Sequence, residues 1–469
     1  MVFVSRRRAL SGSRSHVSAP ASTPPRVRRH RGLFSCLVLL TALGALDQTI
    51  VATALPTITA ELGAPERASW IVTAYALAMT AVMPAVGALA DRVGRRRMLG
   101  LSIAVFVGAS AVCGVATSVE VLAAARFAQG LGGAGLLVLP QTVVADVVPA
   151  RERAAYLGPL GAVFALATVI SPLLGGWLTD AVSWRWVFWL NLPLGAAAAV
   201  LVLATIPVVR PVAASARFDT PGAVLLAAVA AGAVLISVSA AETGWGAATF
   251  AAAAVVAVLL VAALIRERRA AEPVLPLRVP HPRMVIGCYL LALLSGLGLF
   301  GLLAYVPTWA HRAHDADAST AGMLLLPATL GIVIGMNASG QLVRRIGRWR
   351  LFPALGSAPA AAAATALATT ETSLLAAGLL LALVGLGTGL FMQIIVVAAQ
   401  DAVPGGAVGA VTSGMTFTRE LGVTVGTAIL GALAAHDPTF TAVFLTTAGC
   451  FAFSLLLALA LPHRTLSES

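Results

Sequence analysis

Fourteen apolar runs, each near the length that crosses a hydrocarbon core, leave this chain few folds to choose from. They cover 33–55, 70–90, 98–116, 121–145, 154–178, 186–207, 221–240, 248–265, 284–306, 320–342, 350–368, 373–398, 408–434 and 439–461, with short connections between them. About 20 residues of helix span a bilayer core, and only helices or closed barrels satisfy the backbone inside lipid. Charged residues make up 11% of the chain, against roughly 25% in a soluble domain. The expected fold is all-α and integral to the membrane, with 14 transmembrane helices. Runs 7 and 8 are rich in Ala and Val and carry no internal charge. They read as a lipid-facing insertion between two six-helix halves, a 6+2+6 plan.

The basic residues orient these helices. All 31 are Arg, because the sequence has no Lys. With the N-terminus placed in the cytoplasm, 26 fall in the tails and loops of that side, and three (Arg67, Arg185 and Arg312) fall on the other. That bias predicts an even number of spans with both termini cytoplasmic. It also accounts for the net charge of +12 without nucleic acid as a partner. Residues 1–31 hold eight Arg among Ser and Pro with no acid, and read as a disordered basic tail near anionic lipid. The expected divisions are that tail, a six-helix bundle over 32–208, two inserted helices and a loop over 209–283, a second bundle over 284–462, and a short tail over 463–469.

Composition also excludes chemistry. Without Lys there is no lysine-dependent phosphate loop and no Schiff base, so any energy comes from an ion gradient or a partner. Cys36, Cys113, Cys288 and Cys450 lie in apolar runs without C-x-x-C spacing, which indicates neither a disulfide framework nor a metal site. No Ser/His/Asp arrangement is present, and no cofactor is expected.

Charges within the spans carry the functional signal. Asp47 lies mid-span in Leu46-Asp47-Gln48-Thr49-Ile50-Val51-Ala52-Thr53-Ala54-Leu55-Pro56. A carboxylate there costs ~2.5–3.5 kcal/mol on insertion scales, so such residues face a partner or a cavity. It is either a proton site in a transporter or an acid paired with a base on a neighbouring helix. Arg126 sits about five residues from the outer end of span 4. It either snorkels to the interface or acts on a neighbouring acid, since an Arg keeps its proton in proteins. Arg419 and Glu420 are consecutive in span 13, about 100° apart on a helix, so each is expected to find a partner elsewhere. Glu420 reads equally as a second protonation site or as part of a closed Arg–Glu network.

Two loops repeat a pattern. Gly87-Ala88-Leu89-Ala90-Asp91-Arg92-Val93-Gly94-Arg95-Arg96-Arg97 follows span 2, and Gly340-Gln341-Leu342-Val343-Arg344-Arg345-Ile346-Gly347-Arg348 follows span 10. Repeated halves with a midplane site between them mark secondary transporters. The first loop resembles the loop 2–3 signature of the major facilitator superfamily. Gly87, Asp91, Arg92, Gly94 and Arg95 are then expected to form a gate on the cytoplasmic side, with Asp91 as the latch. Arg344 stands where the second copy would need that acid, which argues against a matching latch there.

Further motifs resemble those of the 14-span drug:proton antiporters in the same superfamily. The Asp47 segment is similar to their first-span motif, which implies a proton and cation site. Ala125-Arg126-Phe127-Ala128-Gln129-Gly130-Leu131-Gly132-Gly133 is similar to the fourth-span motif, whose Arg is implicated in proton transfer. Pro172, Gly175 and Gly176 in span 5 resemble the exporters' antiporter motif, with Ser171 in place of a Gly. The Trp-rich segment Ser183–Pro193 reads as an interfacial anchor, and Asp219 with Pro221 as a helix start. Gln48, Gln129 and Arg419 are candidates to line the cavity. The resemblance implies a monomeric plasma-membrane exporter of hydrophobic, cationic drugs, coupled to protons through Asp47, Arg126 and Glu420. The alternatives are an exporter of a neutral or anionic endogenous metabolite, or a non-transporting membrane sensor.

Overall fold

Charge-poor runs joined by short loops can satisfy their backbones only as packed helices, and the computed structural model shows that arrangement. It describes residues 27–64, 67–207, 218–370, 372–437, 439–462 and 465–466. The basic tail before residue 27, Arg210, Arg217 and most of 463–469 lie outside the described residues. The helices of membrane length are α1 (Gly32–Leu62), α2 (Ala68–Val93), α3 (Arg95–Gly114), α4 (Val119–Val147), α5 (Ala150–Ala181), α6 (Trp186–Thr205), α7 (Thr220–Thr243), α8 (Ala247–Arg269), α9 (Pro282–Leu303), α10 (Thr320–Ile346), α11 (Leu351–Thr369), α12 (Leu374–Asp401), α13 (Val408–His436) and α14 (Thr441–Ala460). Thirteen are apolar enough to cross a membrane by composition alone. The exception is α13, which carries Arg419, Glu420 and many Gly, Ser and Thr residues. It is as long as α4 and has a largely buried N-terminal half.

Helix ends extend beyond the apolar runs. The helix of α1 continues through Pro56 to Leu62, where the run was expected to stop at Leu55. Thr59 Oγ1 donates back to the Leu55 and Pro56 carbonyls in that turn. Within α9 the helix widens into a π-type turn at Gly296–Phe300.

The packing repeats. In the first half α1 lies on α5, α2 on α4, and α4 and α6 on α3; in the second, α9 lies on α13, α10 on α12, and α12 and α14 on α11. Across the two halves α2 meets α13 and α5 meets α10. The inserted pair is asymmetric. Helix α7 packs on α2 and α13 at the seam between halves, whereas α8 has α7 as its main neighbour. So α8 accords with the lipid-facing expectation, while α7 is also a seam helix.

Small residues permit the closest approaches. Gly130 and Gly133 of α4 face Tyr75 on α2, and Gly132 and Gly135 face Ser102 and Phe106 on α3. Gly422 and Gly426 of α13 take the backbone of α9 at Leu293 and Leu297. On α5, Gly175 abuts Ile50 and Thr53 of α1, but Gly176 faces open space. Of the two motif glycines, then, only Gly175 is a packing residue. Gly94 links α2 to α3 at φ +95, where a side chain would be strained.

These contacts predict opposite outcomes for one substitution. A methyl group at Gly87 would enter the space of the Gly409 carbonyl and Ser413 on α13. Gly87→Ala is expected to cost about 1–3 kcal/mol, read as a lower thermal unfolding midpoint in detergent. Gly176→Ala is expected to leave that midpoint unchanged or raise it, by up to about 1 kcal/mol of helix propensity.

Candidate functional site

Arg126 and Gln129 share one face of α4, being three residues apart, and reach α1 from it. There they meet Asp47, and all three side chains are 0% exposed. Arg126 Nη1 donates to Asp47 Oδ2 at 2.6 Å and to Gln129 Oε1 at 2.8 Å. Gln129 Nε2 donates to Asp47 Oδ1 at 2.8 Å, and Asn191 Nδ2, from α6, donates to the same oxygen at 2.7 Å. Ser110 Oγ of α3 accepts from Gln129 Nε2 at 2.7 Å and donates to the Phe106 carbonyl at 2.8 Å. Both Asp47 oxygens act as acceptors in this network.

The guanidinium is held from the other side by a ring. Arg126 stacks on Tyr75 at 4.1 Å and lies 5.8 Å from Phe188, and its Nε reaches the Ile71 carbonyl at 3.4 Å. Cation–π contact offsets part of the cost of burying the charge. Arg126 Nη2 and Tyr75 Oη are buried with no hydrogen-bond partner, so the cage retains unused polar capacity. Arg126 does not snorkel, because α4 begins at Val119 and the side chain turns inward.

The cage belongs wholly to the first half, with groups from α1, α2, α3, α4 and α6. It is separate from the cavity between the halves. That cavity is lined by Thr41, Leu137, Gln141, Leu160, Gly161, Phe164, Met392, Gln393 and Arg419. Thr41 and Asp47 are six residues apart on α1, about 9 Å of rise. Of the three cavity candidates, only Arg419 lines it. Gln129 is in the cage, and Gln48 is half-buried on α1 and joins neither. Arg419 and Glu420, expected to find separate partners, pair with each other at 3.3 Å, and Arg419 also lies 5.9 Å from the Phe164 ring.

At the Arg-rich end the repeated loops meet the opposite half. Asp91 Oδ1 accepts from Gly409 N at 3.0 Å and Oδ2 from Ala410 N at 2.8 Å, capping the first turn of α13. A carboxylate is favoured there by the unpaired N–H groups and by the dipole. Arg95 Nη1 pairs with Asp91 at 2.5 Å, and Arg95 Nε with Asp146 at 3.2 Å. Arg92 pairs with Glu272 of the loop after α8 and lies 5.5 Å from the Phe218 ring. The second copy also closes, with reversed polarity. Arg151, at the start of α5, donates from Nε to the Arg344 carbonyl at 3.0 Å and from Nη2 to the Arg345 carbonyl at 3.1 Å. The lost acid did not remove the contact, because backbone carbonyls at a helix C-terminus accept in its place.

Sequence reasoning missed Asn191, Ser110 and Tyr75. Asn191 stood inside the segment read as an interfacial anchor. Its signal was a lone amide in the first turn of an apolar helix. Of that segment Trp186 is exposed, whereas Trp184 is buried and donates from Nε1 to Glu61 at 2.6 Å. Asp219 caps α7 as expected, accepting from Gly222 N at 3.2 Å, and also pairs with Arg266 at 2.8 Å. Ser171 is fully buried and bonds its own helix at the Ala167 carbonyl.

Removing one member of a buried ion pair typically costs about 3–5 kcal/mol, because the other is left uncompensated. Arg126→Leu is therefore expected to lower the thermal unfolding midpoint strongly. The Asp47→Asn, Arg126→Leu double variant is expected to be more stable than the sum of the single effects predicts. Additive losses would show that the two charges are not coupled.

Comparison with known proteins agrees with this architecture. The Major Facilitator Superfamily model matches residues 37–222 and 222–427. An uncharacterized MFS-type transporter of Mycobacterium tuberculosis is 37% identical over 434 residues, covering 89% of this chain; the chain spans 62% of that relative's length. Multidrug transporter protein MdtP of Bacillus subtilis is 32% identical over 407 residues, covering 86% of this chain and 74% of that protein. Among solved structures, the human organic anion transporter MFSD10 superposes with a TM-score of 0.68 at 19% identity, covering 93% of this chain and 100% of that one. The two packed halves, the seam contacts and these matches together make the chain a member of the Major Facilitator Superfamily.

Proposed function

We propose that the chain is a proton-coupled exporter of hydrophobic compounds that works as a monomer in the cell membrane by alternating access. The observation that carries this reading is the Asp47 cage. A fully buried carboxylate with an arginine as its direct partner can exchange that partner for a proton, and the exchange changes what holds α1 to α4. The relative MdtP, named as a multidrug transporter, supports the export direction.

With both termini cytoplasmic, the Arg-rich end faces the cytoplasm, and the Asp91 and Arg151 contacts close it. A proton arriving from outside neutralises Asp47 and releases Arg126 toward Tyr75 and Gln129. The first half then repacks, the contacts at the Arg-rich end open, and the proton is lost to the cytoplasm as substrate enters. Gly87, Asp91, Arg92, Gly94 and Arg95 serve as the gate. Glu420, paired with Arg419, is a second acid that can join the proton relay. Gly175 keeps α5 against α1 through the cycle. In a sensor that had lost transport, nothing would maintain the cost of burying Asp47 with Arg126.

The test is proton flux in proteoliposomes loaded with a pH-sensitive dye. Substrate is expected to drive proton movement in the parent protein and none in Asp47→Asn. A protonophore is expected to abolish efflux. Proton movement that survives in Asp47→Asn, or efflux that survives the protonophore, overturns the reading.

A further inference from the structure

The inserted pair carries two acids that the proposed cycle does not use. Asp219 starts α7 and Glu267 lies near the end of α8, both beyond the apolar runs 221–240 and 248–265. Asp219 is 5% exposed and Glu267 0%. A methyl group on Gly222 would lie 2.5 Å from Asp219 Oδ2 and 2.8 Å from Glu267 Oε1, so the glycine leaves the two carboxylates side by side. Arg266 spends its fork on Asp219, with Nη2 at 2.8 Å and Nε at 3.0 Å from Oδ1. Glu267 Oε2 accepts from Leu275 N at 2.8 Å. Glu267 Oε1 is buried with no hydrogen-bond partner among the described residues.

Ionised together, the pair would set two negative charges in one buried space against one guanidinium. Neighbouring carboxylates disfavour double ionisation, and an orphaned buried oxygen is costly. One proton on Glu267 Oε1 relieves both, because the new O–H can donate to Asp219 Oδ2. The other groups near Glu267 supply no charge in its place. Tyr289 of α9 is the titratable side chain that interacts with it from that helix, and Arg268 and Arg269 are exposed.

Glu267 holds the loop that covers the gate. Residues 270–281 join α8 to α9. From this loop Glu272 pairs with Arg92 of α2, and the Leu275 side chain meets Gly414 of α13 beside Tyr289. With Asp91, Phe218 and Pro404 the loop encloses a cavity of about 350 Å³, so it arches over the α2–α13 seam.

We propose that Asp219 and Glu267 form a second proton-binding site, outside the transport path, which staples the α8–α9 loop over the gate while the proton is bound and frees the loop when it is lost. The proposal rests on the reading of the Arg-rich end as the gate. Stability from a shared proton is present at low pH and disappears as pH rises. A rise in pH on that side passes the proton from Glu267 Oε1 to water, and the two carboxylates repel. Glu267 then gives up Leu275 N, Glu272 leaves Arg92, and the seam opens more easily.

The test is hydrogen–deuterium exchange by mass spectrometry on the full chain in nanodiscs, without substrate or proton gradient, so failure of the proton-flux test leaves it untouched. Peptides over 270–281 report the loop, and peptides over 405–412 report the amides that Asp91 caps. Rates are divided by the intrinsic rate at each pH. From about pH 5.5 to about pH 8.5, a range in which buried carboxylic acids titrate, both sets are expected to lose protection about tenfold or more in the unmodified protein. Glu267→Gln can donate to Asp219 and still accept from Leu275 N, and is expected to stay protected throughout. Asp219→Asn keeps the helix cap and offers an amide to ionised Glu267, so its profile is expected to be flat as well. Loss of the Glu272–Arg92 pair by acid would loosen the loop as pH falls, so the direction of the change identifies the group. No loss in the unmodified protein, loss on lowering the pH, or loss that survives in either variant overturns the proposal. So does a loop that loosens while 405–412 stays protected.

Discussion

A carboxylate inside an apolar bundle must be surrounded by donors, and much of the first half is arranged around meeting that need at Asp47. Its two oxygens are served from α4 and α6, and α3 and α2 hold those donors in place through Ser110 and Tyr75. The glycines of α4 seat this helix closely on α2, which carries Tyr75, and on α3, which carries Ser110. A helix of larger residues would hold Tyr75 and Ser110 away from the two groups they support, Arg126 and Gln129. Close packing and charge pairing therefore depend on one another here.

The two seams at the Arg-rich end solve one mechanical problem with opposite chemistry. At the α2–α13 seam a side-chain carboxylate meets helix N–H groups. At the α5–α10 seam a guanidinium meets helix carbonyls. Each places charge at the helix end whose dipole favours it. The repeated packing within each half joins the helices that carry the two seams. The inserted helices are tied to this region through Glu272 and Arg92 and through α7 at the seam.

Apolar run length made the helices legible, and the Arg distribution made their orientation an expectation. Both depend on local composition, which a sequence displays directly. The Asp47–Arg126 pair was also legible, because charges in apolar spans are conspicuous and scarce. Asn191 and Ser110 were not, since a lone amide or hydroxyl in a span is common and its partner depends on helix rotation. The separation of cage from cavity was hidden for the same reason: Thr41 and Asp47 share a helix but serve different spaces. The Arg151 contact was invisible because its partners are backbone carbonyls, which every residue carries. Gly176 shows the converse error, a motif residue that packs against nothing.

The central claim is that Asp47 is the carboxylate that exchanges Arg126 for a proton. Infrared difference spectroscopy on the reconstituted protein, recorded while the pH is lowered, reads protonation of a buried carboxyl directly. A protonated-carboxyl band is expected to grow in the parent protein and to be missing in Asp47→Asn, with the Gln and Asn amide bands shifting as Gln129 and Asn191 lose an ionised acceptor. A band that persists unchanged in Asp47→Asn would place the proton on another residue and contradict the account.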